Sequence, residues 1–569
     1  MGIHDGHNSS VALLKNGRLV EVLQEERYVR VKNTGNVPVR ATADLVARNA
    51  LGGQKLQASL NGLYMCHGIW DRAAVVRDYE SSRAVDSLFK RKARSNRLAF
   101  STYQSIKETK RLARLHDDLG SCLSEITAVE HHEAHAAAAY HGWGIDEPVL
   151  VLTCDGSGDG LCATVNIGER RTLTRVAAVA DDNSIGRLYS YLTYLLGMIP
   201  LEHEYKLMGL APYAQNSPGV KRVHSKLRSL FEFDQTNGGI TWKRSSGVPS
   251  MYAPMKFLDK LVYRERFDCI AAGLQAFLEE FLAQWVRNCI RETGIRKLAL
   301  SGGVFMNVKA NKTIWELAEV DDVFIFPSCG DESNAIGAAY SSCAKDGRAN
   351  IAPLQAIYFG CEIDDREVES AIRQQCGGMP VQVEHKDDIE KEVATLLARG
   401  EIVGRVKGEM EFGARSLGNR SILAGASNRR VVGVINDMIK NRDFWMPFAP
   451  SVLAEKSEAY FVKPKPVFSP YMMLTFDSKP EVREKIAACV HQSDHTSRPQ
   501  EVTAEFNPDY YRLIKYYEDM TGDAIILNTS YNLHGYPIVR TPVEALEVFC
   551  NSGLKNLALG NFLIRKVEA

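Results

Sequence analysis

Two histidines spaced four residues apart are the first residues in this sequence whose types and spacing could do chemistry. His131 and His135 fall in the run HHEAHAAAAY, and on a helix this spacing places both imidazoles on one face. The arrangement suits two nitrogen ligands of one metal ion, although it also suits histidines that are merely hydrogen-bonded near a surface. Asp155 and Asp331 each follow an apolar run, and they could complete a site for Fe(II), Mn(II) or Zn(II).

Glycines in two further segments could approach a nucleotide closely. The segment SGGVFMN holds Gly302, Gly303 and Asn307 after an apolar run, and the segment KLMGLA holds Lys206 and Gly209. Consecutive glycines after a strand let backbone N–H groups approach a ribose or a phosphate. The same glycines could also form an ordinary tight turn, and neither segment is a Walker A loop.

Cations gather in the second half of the chain. The segment MEFGARSLGNRSIL and the residues shortly after it carry Arg415, Arg420, Lys440 and Arg442. Arginine offers forked donors that match phosphate oxygens, so these cations could form a polyanion pocket, or they could pair with nearby acids. Ser530 and Asn532 follow a later apolar run, where they could bind a phosphate or a carbamoyl-type amide, or simply form a turn.

The elements that would hold these residues predict an α/β fold. Three apolar runs, Pro148 to Thr153, Lys297 to Leu300 and Val323 to Phe326, are each followed by a Gly-containing loop. Continuous apolar runs of this kind predict strands in a sheet that is covered on both faces. Ligands of open α/β sheets bind at the carboxyl ends of the strands, so the loops after these runs form the predicted site.

Other patterns outline the rest of the chain, in which we find no internal repeat. Asn16-Gly17 between two apolar runs predicts a tight hairpin. The apolar residues from Phe267 to Ile290 follow a period of 3.6 and predict a long core helix. The basic stretch from Lys90 to Arg114 is interpreted as a solvated helical face, with contact to a substrate or partner as the alternative. A polar stretch predicts a linker at residues 346–355, followed by a second α/β unit.

Composition excludes several classes of protein. The 569 residues include 69 Lys and Arg and 69 Asp and Glu, and zero net charge argues against a dedicated nucleic-acid binder. No apolar run is long enough to span a membrane, and the first residues do not resemble a signal peptide. The twelve cysteines are scattered without CxxC spacing, which argues against a zinc ribbon or a disulfide framework and favours the cytoplasm.

Nine segments together resemble one known family. In chain order they are GHNSSVALL, HHEAHAAAAY, CDGSGDG, KLMGLAPY, SGGVFMN, SCGDESNAIGAA, MEFGARSLGNRSIL, IKNRDFWMPFAPSV and ILNTSYNLHGYPIV. This order is similar to that of the O-carbamoyltransferases of antibiotic tailoring and nodulation-factor synthesis, the NodU/CmcH type. The segments extend over nearly the whole chain, and their number and order make the resemblance far more specific than any single motif.

The resemblance implies an α/β protein with two catalytic domains. Residues 1–345 would form an actin-like (ASKHA) carbamoyl-transfer domain, and residues 356–569 would form a YrdC-like domain after the linker. The YrdC-like domain would convert carbamoyl phosphate and ATP to carbamoyl-adenylate. The actin-like domain would then transfer the carbamoyl group to a hydroxyl of a small-molecule acceptor. Fe(II) and Mg-ATP are the implied cofactors, and neither a nucleic acid nor a membrane is an implied partner.

The resemblance also assigns roles by position. The implied metal ligands are His131, His135, Asp155 and Asp331. The implied nucleotide contacts of the actin-like domain are Lys206, Gly209, Gly302, Gly303 and Asn307. The implied residues of the YrdC-like site are Arg415, Arg420, Lys440, Arg442, Ser530 and Asn532. Among these, Arg415 and Lys440 are the expected catalytic residues, together with His7 of the first loop, which we expect to be the base that activates the acceptor. One departure is Ala414-Arg415-Ser416, where the family more often has Pro-Arg-Ala.

Two other functions stay open at the level of sequence. A threonylcarbamoyl transferase of tRNA modification would share both domain types, although zero net charge argues against it. A non-catalytic regulator with an actin-like fold would bind ATP, but it would need neither a metal site nor a second anion pocket. The sequence does not identify the acceptor, which could be an aminoglycoside, another glycosylated natural product or a lipo-oligosaccharide, and it leaves the oligomeric state open.

Overall fold

The chain divides into two compact units, which we describe separately. The computed structural model describes residues 1–63, 72–84, 109–120, 122–347, 350–375, 380–440 and 442–567. Unit 1 comprises Met1–Val29 and Asn33–Leu354, and unit 2 comprises Arg30–Lys32 and Gln355–Ala569. The assignment of a separate reaction to each predicted domain stays a prediction.

Unit 1 is a mixed α/β structure. Its strands are β1 (Gly2–His4), β2 (Ser10–Lys15), β3 (Arg18–Gln24), β4 (Leu56–Asn61), β5 (Leu123–Val129), β6 (Val149–Gly158), β7 (Leu161–Glu169), β8 (Thr172–Ala180), β9 (Phe231–Phe233), β10 (Trp242–Arg244), β11 (Lys297–Ser301) and β12 (Asp322–Ile325). Its helices are α1 (Glu26–Val29), α2 (Val39–Arg48), α3 (Arg72–Ala84), α4 (His131–Trp143), α5 (Ile185–Leu195), α6 (Glu204–Leu210), α7 (Pro218–Arg228), α8 (Met255–Leu261), α9 (Phe267–Thr293), α10 (Val308–Trp315) and α11 (Asn334–Asp346). Residues 109–119 are also helical.

Unit 1 contains the same sheet topology twice. One five-stranded sheet has the order β3-β2-β1-β4-β5, and the other has the order β8-β7-β6-β11-β12. In both, the first strand in sequence is central, pairs antiparallel with the next strand and pairs parallel with the fourth. This duplicated arrangement is the actin-like fold, so the predicted α/β class is confirmed. The repeat exists in topology and left no repeat in the sequence.

Two local predictions for unit 1 are confirmed. Asn16 and Gly17 join β2 to β3 with φ values of 51° and 78°, as a tight hairpin requires. The predicted core helix is α9, which buries Phe277, Phe281 and Trp285. These rings pack edge-on or stacked against Phe231 and Trp242, which lie on the small β9–β10 hairpin.

Unit 2 is built on one mixed sheet of eight strands. Its strands are β13 (Val381–His385), β14 (Val403–Val406), β15 (Arg420–Gly425), β16 (Ala449–Leu453), β17 (Phe476–Asp477), β18 (Thr496–Ser497), β19 (Gln500–Val502), β20 (Ile525–Ser530), β21 (Asn556–Leu559) and β22 (Phe562–Lys566). The sheet order is β13-β22-β21-β14-β15-β20-β16-β19, and β17 pairs with β18 separately. Its helices are α12 (Asp365–Gln375), α13 (Ile389–Ala398), α14 (Arg430–Ile435), α15 (Ser457–Tyr460), α16 (Pro508–Thr521) and α17 (Pro542–Cys550).

One helix of unit 2 ends differently from the prediction. The sequence predicts a helix from Val431 to Ile439, but α14 ends at Ile435 and Asn436–Lys440 continue as a π-helical turn. A π turn rotates the side chains that follow it out of α-helical register, and such turns are frequent at functional sites. Lys440 is the last residue of this turn. Among the described residues, no helix of either unit is both long and apolar enough to cross a membrane.

Candidate functional site

Small residues bring the two halves of the candidate metal centre together in unit 1. Helix α4 begins with His131, and the side chain of Glu130 caps it by accepting from two backbone N–H groups of its first turn. The following alanines are buried. A Cβ atom on Gly337 of α11 would lie only 1.8 Å from the carbonyl oxygen of Ala134, so α4 and α11 are in backbone contact. This contact places α4 against the segment that carries Asp331.

Four side chains meet where these segments converge. Nε2 of His131 lies 3.1 Å from Oδ2 of Asp155 and 3.5 Å from Oδ1 of Asp331. Nε2 of His135 lies 3.7 Å and 3.6 Å from the same two oxygens. One potential ligand atom from each residue lies within 4.8 Å of the others. The structure therefore brings together the four predicted ligands, while metal binding by them stays a prediction.

The electrostatics of this centre fit a divalent cation. Burial opposes the charged form of His131, but the carboxylates of Asp331 and Asp155 outweigh it and raise the pKa of His131 to about 10. Burial would likewise raise the pKa of Asp155, but hydrogen bonds from His131 and His135 hold it well below its usual range. The negative charge of the two carboxylates therefore favours a cation between them and the imidazoles. Two nitrogen and two oxygen donors suit Fe(II), Mn(II) or Zn(II).

The two predicted glycines pack against this centre. Gly302 has φ +106°, and a Cβ atom there would lie 2.3 Å from the carbonyl oxygen of Cys154. The N–H of Gly303 donates to Oδ1 of Asp155 at 3.1 Å, and Ser301 Oγ lies 3.2 Å from Nδ1 of His135. The loop after β11 therefore orients two of the predicted ligands. Its predicted contact with a nucleotide stays a prediction.

The other predicted nucleotide contacts lie on two helices. The side chain of Asn307 caps α10 by accepting from Ala310 N–H at 3.0 Å, and its amide pairs with the amide of Gln275. These contacts give Asn307 a structural role. Lys206 and Gly209 lie on α6, where Gly209 is buried and Lys206 is half-buried.

The first loop brings His7 and a histidine that the sequence analysis missed toward the centre. His4 is buried, accepts from the Asn61 amide at 2.9 Å on Nδ1, and donates from Nε2 to the His7 carbonyl at 2.9 Å. Its Nε2 lies 4.0 Å from Oδ2 of Asp331. Burial lowers the pKa of His7, although Asp331 and other nearby carboxylates oppose this. His7 is therefore neutral near pH 7 and able to accept a proton. The sequence analysis missed His4 because its position shows no spacing typical of a metal or catalytic site.

In the basic stretch 90–114, Lys110 and Arg114 are exposed as predicted, and Arg111 is the exception that needs a correction. Residues 90–108 lie outside the described part of the chain, and residues 109–114 are helical. Arg111 in this part is buried, not solvated. Its guanidinium donates to both carboxylate oxygens of Asp5 and to the carbonyls of Asn61 and Gly62. Such a forked guanidinium contact is rigid, so Arg111 fixes the loop that carries His7.

Lys440 forms the centre of a second site, in unit 2. Its side chain is buried, and Nζ donates to Ser530 Oγ at 3.1 Å and to Asn532 Oδ1 at 2.8 Å. Burial, and then the charges of Arg442 and Lys32, hold the pKa of Lys440 well below its usual range. Three of the predicted residues of this site therefore lie in direct contact.

The charge of Arg442 acts on both Lys440 and Arg498, and that of Arg415 acts on Arg498, so we define the cationic cluster as Arg415, Lys440, Arg442 and Arg498. Arg442 donates to Thr529 Oγ1 at 3.2 Å, next to Ser530 on β20, and its guanidinium stacks on Phe448. Burial, and then the charges of Arg415 and Arg442, lower the pKa of Arg498. The sequence analysis missed Arg498, because a single arginine before a proline carries no periodic signal.

Arg420 has a different environment from the cationic cluster. Its guanidinium is fully buried and donates to the carbonyls of Lys407, Gly408 and Asn419 and to that of Cys361. Burial lowers its pKa to about 10, although Glu411 opposes this. These contacts tie β15 to two neighbouring segments. The predicted contact of Arg420 with a phosphate stays a prediction.

Comparisons with known proteins agree over both units. Residues 1–340 match the family model described as Carbamoyltransferase N-terminus, and residues 394–566 match that described as Carbamoyltransferase C-terminus. An uncharacterized protein of Synechocystis sp. is 30% identical over 98% of this chain and 95% of its own. Nodulation protein NolNO of Sinorhizobium fredii is 29% identical over 99% of this chain and 79% of its own. Among solved structures, HypF of T. kodakarensis is similar at 13% identity with a TM-score of 0.32, over 62% of this chain and 49% of that one.

Proposed function

We propose that this chain, which belongs to the carbamoyltransferase family, is an ATP-dependent O-carbamoyltransferase that works in two steps. In the first step, carbamoyl phosphate, ATP and water give carbamoyl-adenylate, pyrophosphate and phosphate. In the second step, the carbamoyl group moves to a hydroxyl of a small-molecule acceptor and AMP leaves. The observation that carries the proposal is the presence of two charged sites of opposite sign, one in each unit.

The cationic cluster of unit 2 supports the first step. The charges that act most strongly on Lys440 and on Arg498 are those of other cations. A cluster of like charges is relieved by a polyanion, and arginine forks match phosphate oxygens. Carbamoyl phosphate and the phosphates of ATP are such anions. Lys440 would donate to an oxygen of the reacting group from the position in which Ser530 and Asn532 now hold it.

The His and Asp cluster of unit 1 supports the second step. Its four ligands would hold Fe(II) or a similar ion, and a metal there supplies positive charge that stabilises the leaving AMP. His7 would take the proton from the acceptor hydroxyl, because burial keeps its imidazole neutral and a neutral imidazole is a good general base near pH 7. Arg111 would support this role by fixing the Asp5 end of the loop.

Pyrophosphate release by the iron-loaded full chain tests the first step. We expect release from Mg-ATP only when carbamoyl phosphate is present, and an Arg442→Met variant should lose it. Lys485→Met is the matched control, because Lys485 is exposed and pairs with Asp523 at 2.9 Å. Release that requires threonine and bicarbonate instead would contradict the proposal and favour tRNA threonylcarbamoylation. ATP binding without any release would favour a regulator.

A His7→Ala variant tests the second step once a hydroxyl acceptor supports turnover. The variant should still release pyrophosphate with carbamoyl phosphate but should lose carbamoyl transfer to the acceptor. Loss of both reactions would indicate that His7 is structural. Transfer at the wild-type rate would exclude His7 as the base.

A further inference from the structure

Asn334 lies beside the candidate metal centre and takes part in no prediction made above. It is the first residue of α11 and follows Asp331 by three positions, which is close to one helical turn. Its side chain is fully buried. Its amide nitrogen lies 3.2 Å from Nε2 of His135, the atom that faces Asp155 and Asp331. Asn334 therefore points into the same small space as the four predicted ligands.

The amide of Asn334 has one satisfied end and one unsatisfied end. Its Nδ2 faces the imidazole nitrogen of His135, whereas its Oδ1 is buried without a hydrogen-bond partner among the described residues. A buried carbonyl oxygen without a partner is costly. The oxygen and nitrogen of an asparagine amide exchange places by a half-turn about one bond, with little change of shape.

A metal ion on His135 would favour the orientation that places Oδ1 of Asn334 toward Nε2. Ser301 Oγ lies 3.2 Å from Nδ1 of His135, which leaves Nε2 for the metal. Once the lone pair of Nε2 binds a cation, the amide N–H of Asn334 has no acceptor there and points at a positive charge. A half-turn removes both penalties, because it places Oδ1 toward the cation. We propose that Asn334 Oδ1 is a fifth protein ligand of the metal centre.

The distances agree with this proposal, which rests on the metal centre of the proposed function. Two ligands that each lie about 2.1 Å from one metal, at right angles, are about 3 Å apart. The amide of Asn334 lies 3.2 Å from His135 Nε2, close to the 3.1 Å between His131 Nε2 and Asp155 Oδ2. With Asn334 the set has three oxygen and two nitrogen donors. Oxygen-rich sets suit ions that take five or six ligands, such as Fe(II) or Mn(II), more than tetrahedral zinc.

Co(II) binding to the full chain, followed by visible absorption, tests the proposal. Asn334→Leu keeps the volume and removes the oxygen, so we expect at least about tenfold weaker binding, since even outer contacts of metal ligands change affinity by that factor. Its spectrum should also be more intense, as four-coordinate Co(II) absorbs more strongly than higher-coordinate Co(II). Asn334→Asp keeps an oxygen in either orientation and should bind at least as tightly as the wild type. Asn288→Leu is the matched control, because Asn288 is also buried and its amide donates to the distant Gly239 carbonyl at 2.9 Å.

Each outcome separates this proposal from the proposed function. If His131→Ala abolishes Co(II) binding while Asn334→Leu changes neither affinity nor spectrum, the four-ligand centre stands and the fifth ligand is wrong. If the wild type and His131→Ala bind Co(II) equally, the centre itself is wrong. If Asn334→Leu does not fold, Asn334→Asp decides, because binding weaker than that of the wild type would contradict an oxygen ligand.

Discussion

The candidate metal centre of unit 1 and the cationic cluster of unit 2 are built on opposite charge patterns. In unit 1 two partly buried carboxylates face two buried imidazoles, and the carboxylates raise the pKa of the imidazoles because they stabilise positive charge there. In unit 2 burial, and then the charges of neighbouring cations, lower the pKa values of Lys440 and Arg498. The first pattern fits a bound cation and the second a bound anion. Burial strengthens the preference of each site for one sign of charge, since water would otherwise screen the charges of both sites.

A third kind of site shows what a completed charge pattern looks like. In unit 2 the buried carboxylate of Glu390 contacts Arg405 at 3.3 Å, Lys407 at 2.9 Å and Arg512 at 3.2 Å. Arg405 also donates to the Gly418 carbonyl and to Asn419 Oδ1. This network carries its own counter-charges, because Asp509 also contacts Lys407 at 3.3 Å and Arg512 at 3.1 Å. The differences among these sites lead to five predictions.

The largest expected effect follows from neutralising one carboxylate of the metal centre. Asp155→Asn removes the charge that faces both imidazoles, so metal binding should weaken by about a thousandfold, or about 4 kcal/mol. Carbamoyl transfer should fall with it, whereas pyrophosphate release in unit 2 should continue. Metal titration and the two activity assays check this. Equal loss of both half-reactions would show that the two sites are not chemically separate.

Breaking the completed network should affect stability more than activity. Glu390→Gln leaves Arg405 buried without its counter-charge, which costs about 3–5 kcal/mol. Urea unfolding of the full chain measures this, with Glu518→Gln on the more exposed face of α16 as the control, where its lysine partners are half-exposed. A change below about 1 kcal/mol would mean that the network contributes no more than a surface ion pair.

Removing a cation from the cationic cluster should affect activity more than stability, the reverse of what we expect for Glu390→Gln. Lys440→Met should lower pyrophosphate release by about a hundredfold, since removal of one preorganised charge typically costs that much. Stability without ligand should not fall as it does for Glu390→Gln, because burial and repulsion already disfavour the charged lysine.

The stability of the Lys440→Met variant should also depend on pH in a defined direction. In the wild type the folded pKa of Lys440 lies below the unfolded value of about 10.4, so the unfolded chain binds more protons between these values. Wild-type stability relative to the variant should therefore be lowest below the folded pKa and should rise as pH approaches 10.4. Thermal melts of both proteins across this range check the sign. A difference that does not change with pH would contradict a depressed pKa.

The smallest effect is expected for a substitution that keeps a cation but changes the geometry of its hydrogen-bond donors. Arg111→Lys retains a positive charge beside Asp5 but loses the fork and the contacts to the Asn61 and Gly62 carbonyls. We expect a loss of about 1–2 kcal/mol of stability. Carbamoyl transfer should fall severalfold while pyrophosphate release is unchanged, because the His7 loop belongs to unit 1. Unchanged transfer would show that this loop does not need the clamp.

The sequence could predict those parts of the fold and sites that have a local pattern. The His131 and His135 spacing, the apolar runs before Asp155 and Asp331, the Asn16-Gly17 hairpin and the long core helix are all patterns within short stretches of the sequence. These patterns consist of hydrophobic periodicity and turn-forming residues, and both are properties of residues that are neighbours in the sequence.

What the sequence could not predict depends on contacts between distant segments. Arg111 was interpreted as solvated because its neighbours are basic, yet it contacts Asp5, far away along the chain. Arg498 comes close to Arg415 and Arg442 only when the chain folds. Asn334 likewise comes to lie beside His135 only in the folded chain. The two sheets of unit 1 share a topology, but their sequences show no repeat. The sequence also does not show that Nη1 and Nη2 of Arg420 donate to backbone carbonyls, three of which belong to segments away from β15.

The backbone contact between α4 and α11 has a consequence for ion size. Gly337 lies so close to the Ala134 carbonyl that no side chain fits between the helices. The gap between the histidines on α4 and the residues at the start of α11 is therefore fixed by main chain, which cannot change rotamer as a bulky side chain can. The ionic radius that such a centre would accept is then set by Ala134 and Gly337, neither of which is among its predicted ligands. A Gly337→Ala substitution would push the two helices apart and so separate the predicted ligands without changing any of them. The wider site would favour larger ions.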